Sequence, residues 1–191
     1  MTAKTLSLLF AFVLGISLCG SASAQVKPTV NVIDTMAVNQ NGVANQIITV
    51  PGSLKDGVKL KSLAWAWMSS NACFPGTQAA KFTGNHVLYV ADLPPRSIMT
   101  VTVKPKSDST NLSIYGYQIG VEKVILPEDL QYCVTCEADH ERQFLRRGEA
   151  RTSTRTMRFN AIGNPYKVVI GVAGANNLTE GDFTLEITLK Q

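Results

Sequence analysis

The chain has 191 residues, 45% of them hydrophobic, which is enough for one domain with a sizeable core. Lys and Arg number 18 against 14 Asp and Glu, a net charge of only +4. So slight a surplus excludes a nucleic-acid binder driven by bulk charge.

The first segment reads as a leader. Lys4 stands beside the amino terminus, and residues 6–18 are apolar except for Ser7 and Ser17. Gly20, Ser21, Ala22, Ser23 and Ala24 then give a small-residue exit with an A-x-A site. Residues 1–24 are therefore expected to be a signal peptide cut after Ala24, leaving one domain over 25–191 that is secreted or periplasmic. The apolar run is shorter than the roughly 20 residues a membrane span needs. No later run is longer, so no transmembrane segment is expected. Cys19 would carry a lipid anchor only with a small residue before it, and Leu18 stands there.

Beyond the leader, period two dominates. Strands are expected at 30–38, 46–50 and 58–60, with a bulge near Ser62 where the apolar parity slips before Leu63, Trp65 and Trp67. Further strands are expected at 86–93, 99–103, 112–119 and 156–161. At 166–172 the alternate residues Val169 and Gly171 imply burial on both faces. At 183–189, Phe183, Leu185, Ile187 and Leu189 alternate with polar residues, a strand with one wet face. A short helix is expected over 127–131, with Pro127 in its first turn and Glu128 and Asp129 near its N-terminus. Turn pairs such as Asn41-Gly42, Asp56-Gly57 and Pro75-Gly76 separate the runs. Eight or nine short strands with little helix make an all-β fold, an antiparallel, jelly-roll-like β-sandwich. Its inner face should carry Met99, Val101, Val103, Val168, Ile170, Phe183, Leu185 and Ile187.

Residues 137–156 interrupt this pattern. They hold Arg142, Arg146, Arg147, Arg151 and Arg155, and only Phe144 and Leu145 as large apolar residues. A polar excursion of this length between strands is either functional or disordered. Guanidinium groups pair well with carboxylate, sulfate and phosphate, so these five arginines are the candidate anion- or polymer-binding set.

Cysteine supplies the other candidates. After cleavage Cys73, Cys133 and Cys136 remain, and in an exported protein their default fate is a disulfide. Cys133 can close on Cys136, or either can meet Cys73. The longer closure would stabilise by roughly 4 kcal/mol in the chain-entropy model. The odd thiol leaves room for an intermolecular link and a homo-oligomer. With His140 the three cysteines also make four zinc ligands, the lesser reading because the second pair lacks short spacing. A C-x-x-C redox centre normally opens a helix in a βαβ setting, absent here. Neither His86 nor His140 lies in an H-E-x-x-H context and no G-x-S-x-G occurs, so no enzyme and no cofactor are expected.

Residues 86–190 carry a resemblance. HVLYV, a turn into IMTVTVKP, NLSIYGYQIG, PYKVVIGVAG and the closing GDFTLEITL resemble the bacterial pre-peptidase C-terminal domain, a β-sandwich appended to many secreted proteins. The resemblance implies a sandwich fold and a non-catalytic module for adhesion, binding or assembly. Where the family commonly has an acidic D-L-D-L-type run, this chain has Asn111-Leu112-Ser113-Ile114, which makes calcium a minor expectation. The expected role is a non-enzymatic surface module with a polysaccharide, other anionic polymer or protein partner. Self-assembly and a small metal or redox protein are the alternatives.

Overall fold

The computed structural model describes residues 28–35, 47–62, 76–130, 135–138 and 153–190. Ten strands are described: β1 Val30–Ile33, β2 Ile47–Ser53, β3 Val58–Lys59, β4 Asn85–Leu93, β5 Ser97–Pro105, β6 Leu112–Ile119, β7 Thr135–Glu137, β8 Arg155–Ala161, β9 Tyr166–Gly174 and β10 Asp182–Lys190. Two 3-10 segments, Leu54–Asp56 and Gly76–Phe82, are the only helical elements among the described residues.

The strands make two sheets. One runs β1-β4-β9-β6-β7, with β3 also pairing β4, and the other runs β2-β10-β5-β8. Every pairing is antiparallel except β1 with β4, where Val30 stands opposite Leu88 and Ile33 opposite Ala91. The alternation read from sequence decides which face turns inward. Met99, Val101, Val103, Phe183, Leu185 and Ile187 meet Val87, Tyr89, Leu112, Ile114, Val168 and Ile170 in one core between the sheets. All eight inner-face residues expected from the sequence lie there. This is an all-β sandwich.

The two outer faces differ in kind. Outside β2-β10-β5-β8 stand Thr49, Thr100, Thr102, Thr156, Thr184 and Thr188, with a Lys104–Glu186 pair at 2.7 Å among them. Outside the larger sheet lies a second apolar cluster, including Leu88, Val90, Tyr115, Tyr117 and Val169, with Phe82 of the Gly76–Phe82 segment packed onto it. β9 is central and buried on both sides, as its uninterrupted apolar run requires.

Residues 127–130 are not helical. The Asp129 amide donates to the Leu126 carbonyl at 3.2 Å, closing a tight turn with Pro127 at its first corner. Glu128 follows at φ 84, outside the helical region, and its Oε1 accepts from the Ser62 amide at 3.2 Å. Proline at the first corner suits a type II turn as well as a helix start, and the i to i+3 bond decided between them. A left-handed backbone costs any side chain, so Glu128→Gly should be more stable than Glu128→Ala by about 1 kcal/mol, both lacking the Ser62 bond. Urea unfolding of the two variants checks this.

β3 ends at Lys59, and the bulge expected near Ser62 depends on residues 63–67, outside the described residues. The expected strand through Trp65 and Trp67 lies outside the described residues. Among those described, no helix is long and apolar enough to cross a membrane.

Candidate functional site

Most of the sequence-derived site residues lie outside the described residues: Cys73, Cys133, His140, Arg142, Arg146, Arg147 and Arg151. Cys136 is in β7, where its backbone stands opposite Tyr115 of β6. The excursion is shorter than 137–156, since β7 extends to Glu137 and β8 starts at Arg155.

Arg155 was expected on the excursion and is instead part of the sandwich. It is 7% exposed and shares the inward parity of Met157, Phe159 and Ala161. One terminal nitrogen donates to the Thr154 carbonyl at 3.0 Å, the other to Asn111 Oδ1 at 3.3 Å. A guanidinium so held anchors the start of β8 to the residue that precedes β6. The parity of Met157 and Phe159, read two residues back, was the available signal.

The ends of the arginine tract are therefore fixed. β7 and β8 pack beside one another, and Ala138, just beyond β7, is buried. At the other end Ser153 Oγ donates to the Asp108 carbonyl at 3.5 Å. The tract leaves and rejoins the sandwich at one place. Rigid strands with a long connection between them are the usual way of presenting binding residues.

A second constellation, missed by sequence reasoning, lies on the outer face of the larger sheet. His86 of β4 is 1% exposed, and both ring nitrogens are engaged. Nε2 lies 2.8 Å from the Phe82 carbonyl, which can only accept, so this nitrogen carries the proton. Nδ1 must then accept from the Tyr115 hydroxyl at 2.9 Å. Tyr115 reaches His86 from β6 by crossing β9 directly over Gly171, its partner in the register. Burial pushes the imidazole down from 6.5 to about 4, the bond to the Phe82 carbonyl offsetting part of that. Phe82 and Tyr117 pack edge-on against the Tyr115 ring, at centroid distances of 6.1 and 6.2 Å. With both ring nitrogens committed to protein partners, the histidine ties β4 to β6 and to the Phe82 carbonyl. Its signals were a lone polar residue opening the apolar strand HVLYV and a glycine inside β9, but pairing them requires the register.

Among the described residues, no group of three or more His, Cys, Asp or Glu gathers as a metal site would need. The described surface includes two depressions. One of about 570 Å³ is lined by Pro28 and residues 123–129. A shallower one of about 370 Å³ contains Lys55, Lys106, Glu180 and Asp182, with Lys55 paired to Glu180 at 3.3 Å.

No family model and no curated protein matches the sequence. The chain is similar in fold to a pre-peptidase C-terminal domain. That domain, from a collagenase of Bacillus anthracis, is 15% identical with a TM-score of 0.41, over 87% of this chain and 99% of that one. Also similar is PliG, a periplasmic inhibitor of g-type lysozyme from Aeromonas hydrophila. It is 8% identical with a TM-score of 0.39, over 84% of this chain and 96% of its own. The surface-associated copper-binding protein CorA of Methylomicrobium album BG8 is 11% identical with a TM-score of 0.41, over 85% of this chain and 97% of its own.

Proposed function

We propose that this is an exported, non-enzymatic binding module that grips an anionic surface polymer through Arg142, Arg146, Arg147 and Arg151. The observation that carries the reading is the adjacency of β7 and β8, which returns the tract to the sandwich where it left. Arg155 ties that root to Asn111 and so belongs to the support, apart from the gripping set. The leader pattern supports delivery outside the cytoplasm, where acidic polysaccharide and the phosphates of lipopolysaccharide are the abundant anions. Guanidinium forks match sulfate, phosphate and carboxylate in two-bond geometry, so lysines at the four positions would serve less well.

The test is binding of the mature chain to heparin, with uncharged dextran as control. The Arg142, Arg146, Arg147 and Arg151 to Ala variant should bind heparin roughly 30-fold more weakly or worse, taking about 0.5–1 kcal/mol for each exposed ion pair. Its thermal unfolding should match that of the parent. Equal heparin affinity in parent and variant would remove the arginines from the function.

A further inference from the structure

We propose that the Gly76–Phe82 segment is an acid-released flap, fastened to the outer face of the larger sheet through His86 and uncovering an apolar surface when it lifts. This rests on the histidine bridge and is independent of the arginine tract. The flap ends at Phe82, whose side chain is fully buried over Tyr115 and whose carbonyl is held by His86. Phe82 belongs to the outer apolar cluster that also holds Leu88, Val90, Tyr117, Val169 and Ala173. Other ties of this segment include the Asn176 amide donating to the Ala80 carbonyl at 2.7 Å and the Asn177 amide donating to the Thr83 hydroxyl at 2.9 Å.

The bridge accommodates one charge state. Neutral His86 gives one proton to Phe82 and takes one from Tyr115, leaving nothing over. A second ring proton would put a cation among Phe82, Tyr115 and Ala173 and would turn the Tyr115 hydroxyl away from its acceptor. Few described charges stand near to offset it. The flap contributes Lys81, itself 6% exposed and of the same sign. β3 contributes Lys59, whose amino group is turned to Asn177. β6 contributes Tyr115 and Tyr117, and β7 has Cys136 opposite Tyr115 and Glu137 opposite Ile114 in the register. β9 contributes Lys167, at the far end of the face and paired with Asp92 of β4 at 2.8 Å, and the 174–178 loop carries no charged residue. A buried cation without a counter-charge seeks water. Lifting the flap supplies water without opening the core between the sheets.

The sign follows from linkage. The closed-state imidazole titrates near 4 and a solvated one near 6.5, so protons bind the open form preferentially. Closure is therefore fully supported above pH 6.5 and weakens as pH falls toward 4. From pH 7.5 to 5 the opening constant should rise by about 30-fold.

Hydrogen exchange of the full mature chain, corrected for the intrinsic pH dependence, reads this directly. Amides of residues 79–86 should lose about 30-fold in protection by pH 5, while those of β5 and β10 keep theirs. His86→Gln should abolish the change. Tyr115→Phe keeps the imidazole but removes its donor, and should lower protection at 79–86 already at pH 7.5 while shrinking its further loss on acidification. Unchanged protection at 79–86 down to pH 4.5 overturns the proposal. So does simultaneous loss in β5 and β10, which would make the event global unfolding.

Discussion

Gly171→Ala is expected to cost about 3–5 kcal/mol, a large share of the 5–15 kcal/mol that holds a domain of this kind together. A methyl group at this position would lie 2.0 Å from Tyr115 Cζ and 2.4 and 2.5 Å from its ring Cε atoms. The ring has nowhere to go. It is fully buried, packed edge-on by Phe82 and Tyr117, and pinned at its far end by His86. Moving it to admit the methyl breaks the bond to His86, leaving a buried imidazole nitrogen and a buried hydroxyl unsatisfied. Each such orphan costs about 1–3 kcal/mol, in addition to the strain of overpacking. Urea unfolding with and without Tyr115→Leu measures the coupling. The alanine should cost little once the ring is gone, because two residues in contact do not act additively. A loss below 1 kcal/mol in the parent background would mean that Tyr115 does not lie over β9.

Phe159→Ala should be of similar size, about 3–5 kcal/mol, through a different mechanism. Phe159 on β8 is 1% exposed and spans the sandwich to lie against Gly116 of β6, where an added methyl would meet its Cζ at 2.2 Å. β8 is an edge strand whose sheet partner is β5, so this ring is a principal link between β8 and the opposite sheet. Truncation leaves a cavity the size of a ring. Gly116→Ala should be destabilising in the parent and close to neutral in the Phe159→Ala background, where its methyl enters the space left behind. Thermal unfolding of the four-member cycle decides the matter, and a Gly116→Ala penalty unchanged by loss of the ring would contradict the packing.

The strands that could be read in the sequence are those whose two faces differ in solvent. In β5 and β10, Met99, Val101 and Val103 and Phe183, Leu185 and Ile187 face the core while threonines and charges face water, and the alternation is plain. β9 was legible for the opposite reason: Val168 with Val169 and Ile170 leaves no wet face. β7 was not legible, since three residues, Thr135–Glu137, are too few to show a period. The turn at Pro127 was misread because proline and acidic residues open helices and turns alike. Arg155 was misassigned because a charge suggests solvent, although its parity with Met157 placed it inside. The His86–Tyr115 tie is a matter of register, joining residues 29 apart across an intervening strand. The sequence shows the arginine tract itself, but only the packing of β7 beside β8, from opposite sheets, shows that its two ends lie together.

The most direct test of the account maps a short sulfated oligosaccharide onto the mature chain by amide chemical-shift perturbation. The account predicts shifts in residues 139–152 and at the roots of the tract, Ala138, Thr154 and Arg155. The threonine face of β2, β10 and β5 should stay unmoved. Shifts centred on Thr49, Thr102 and Thr184, with the tract unaffected, would contradict it.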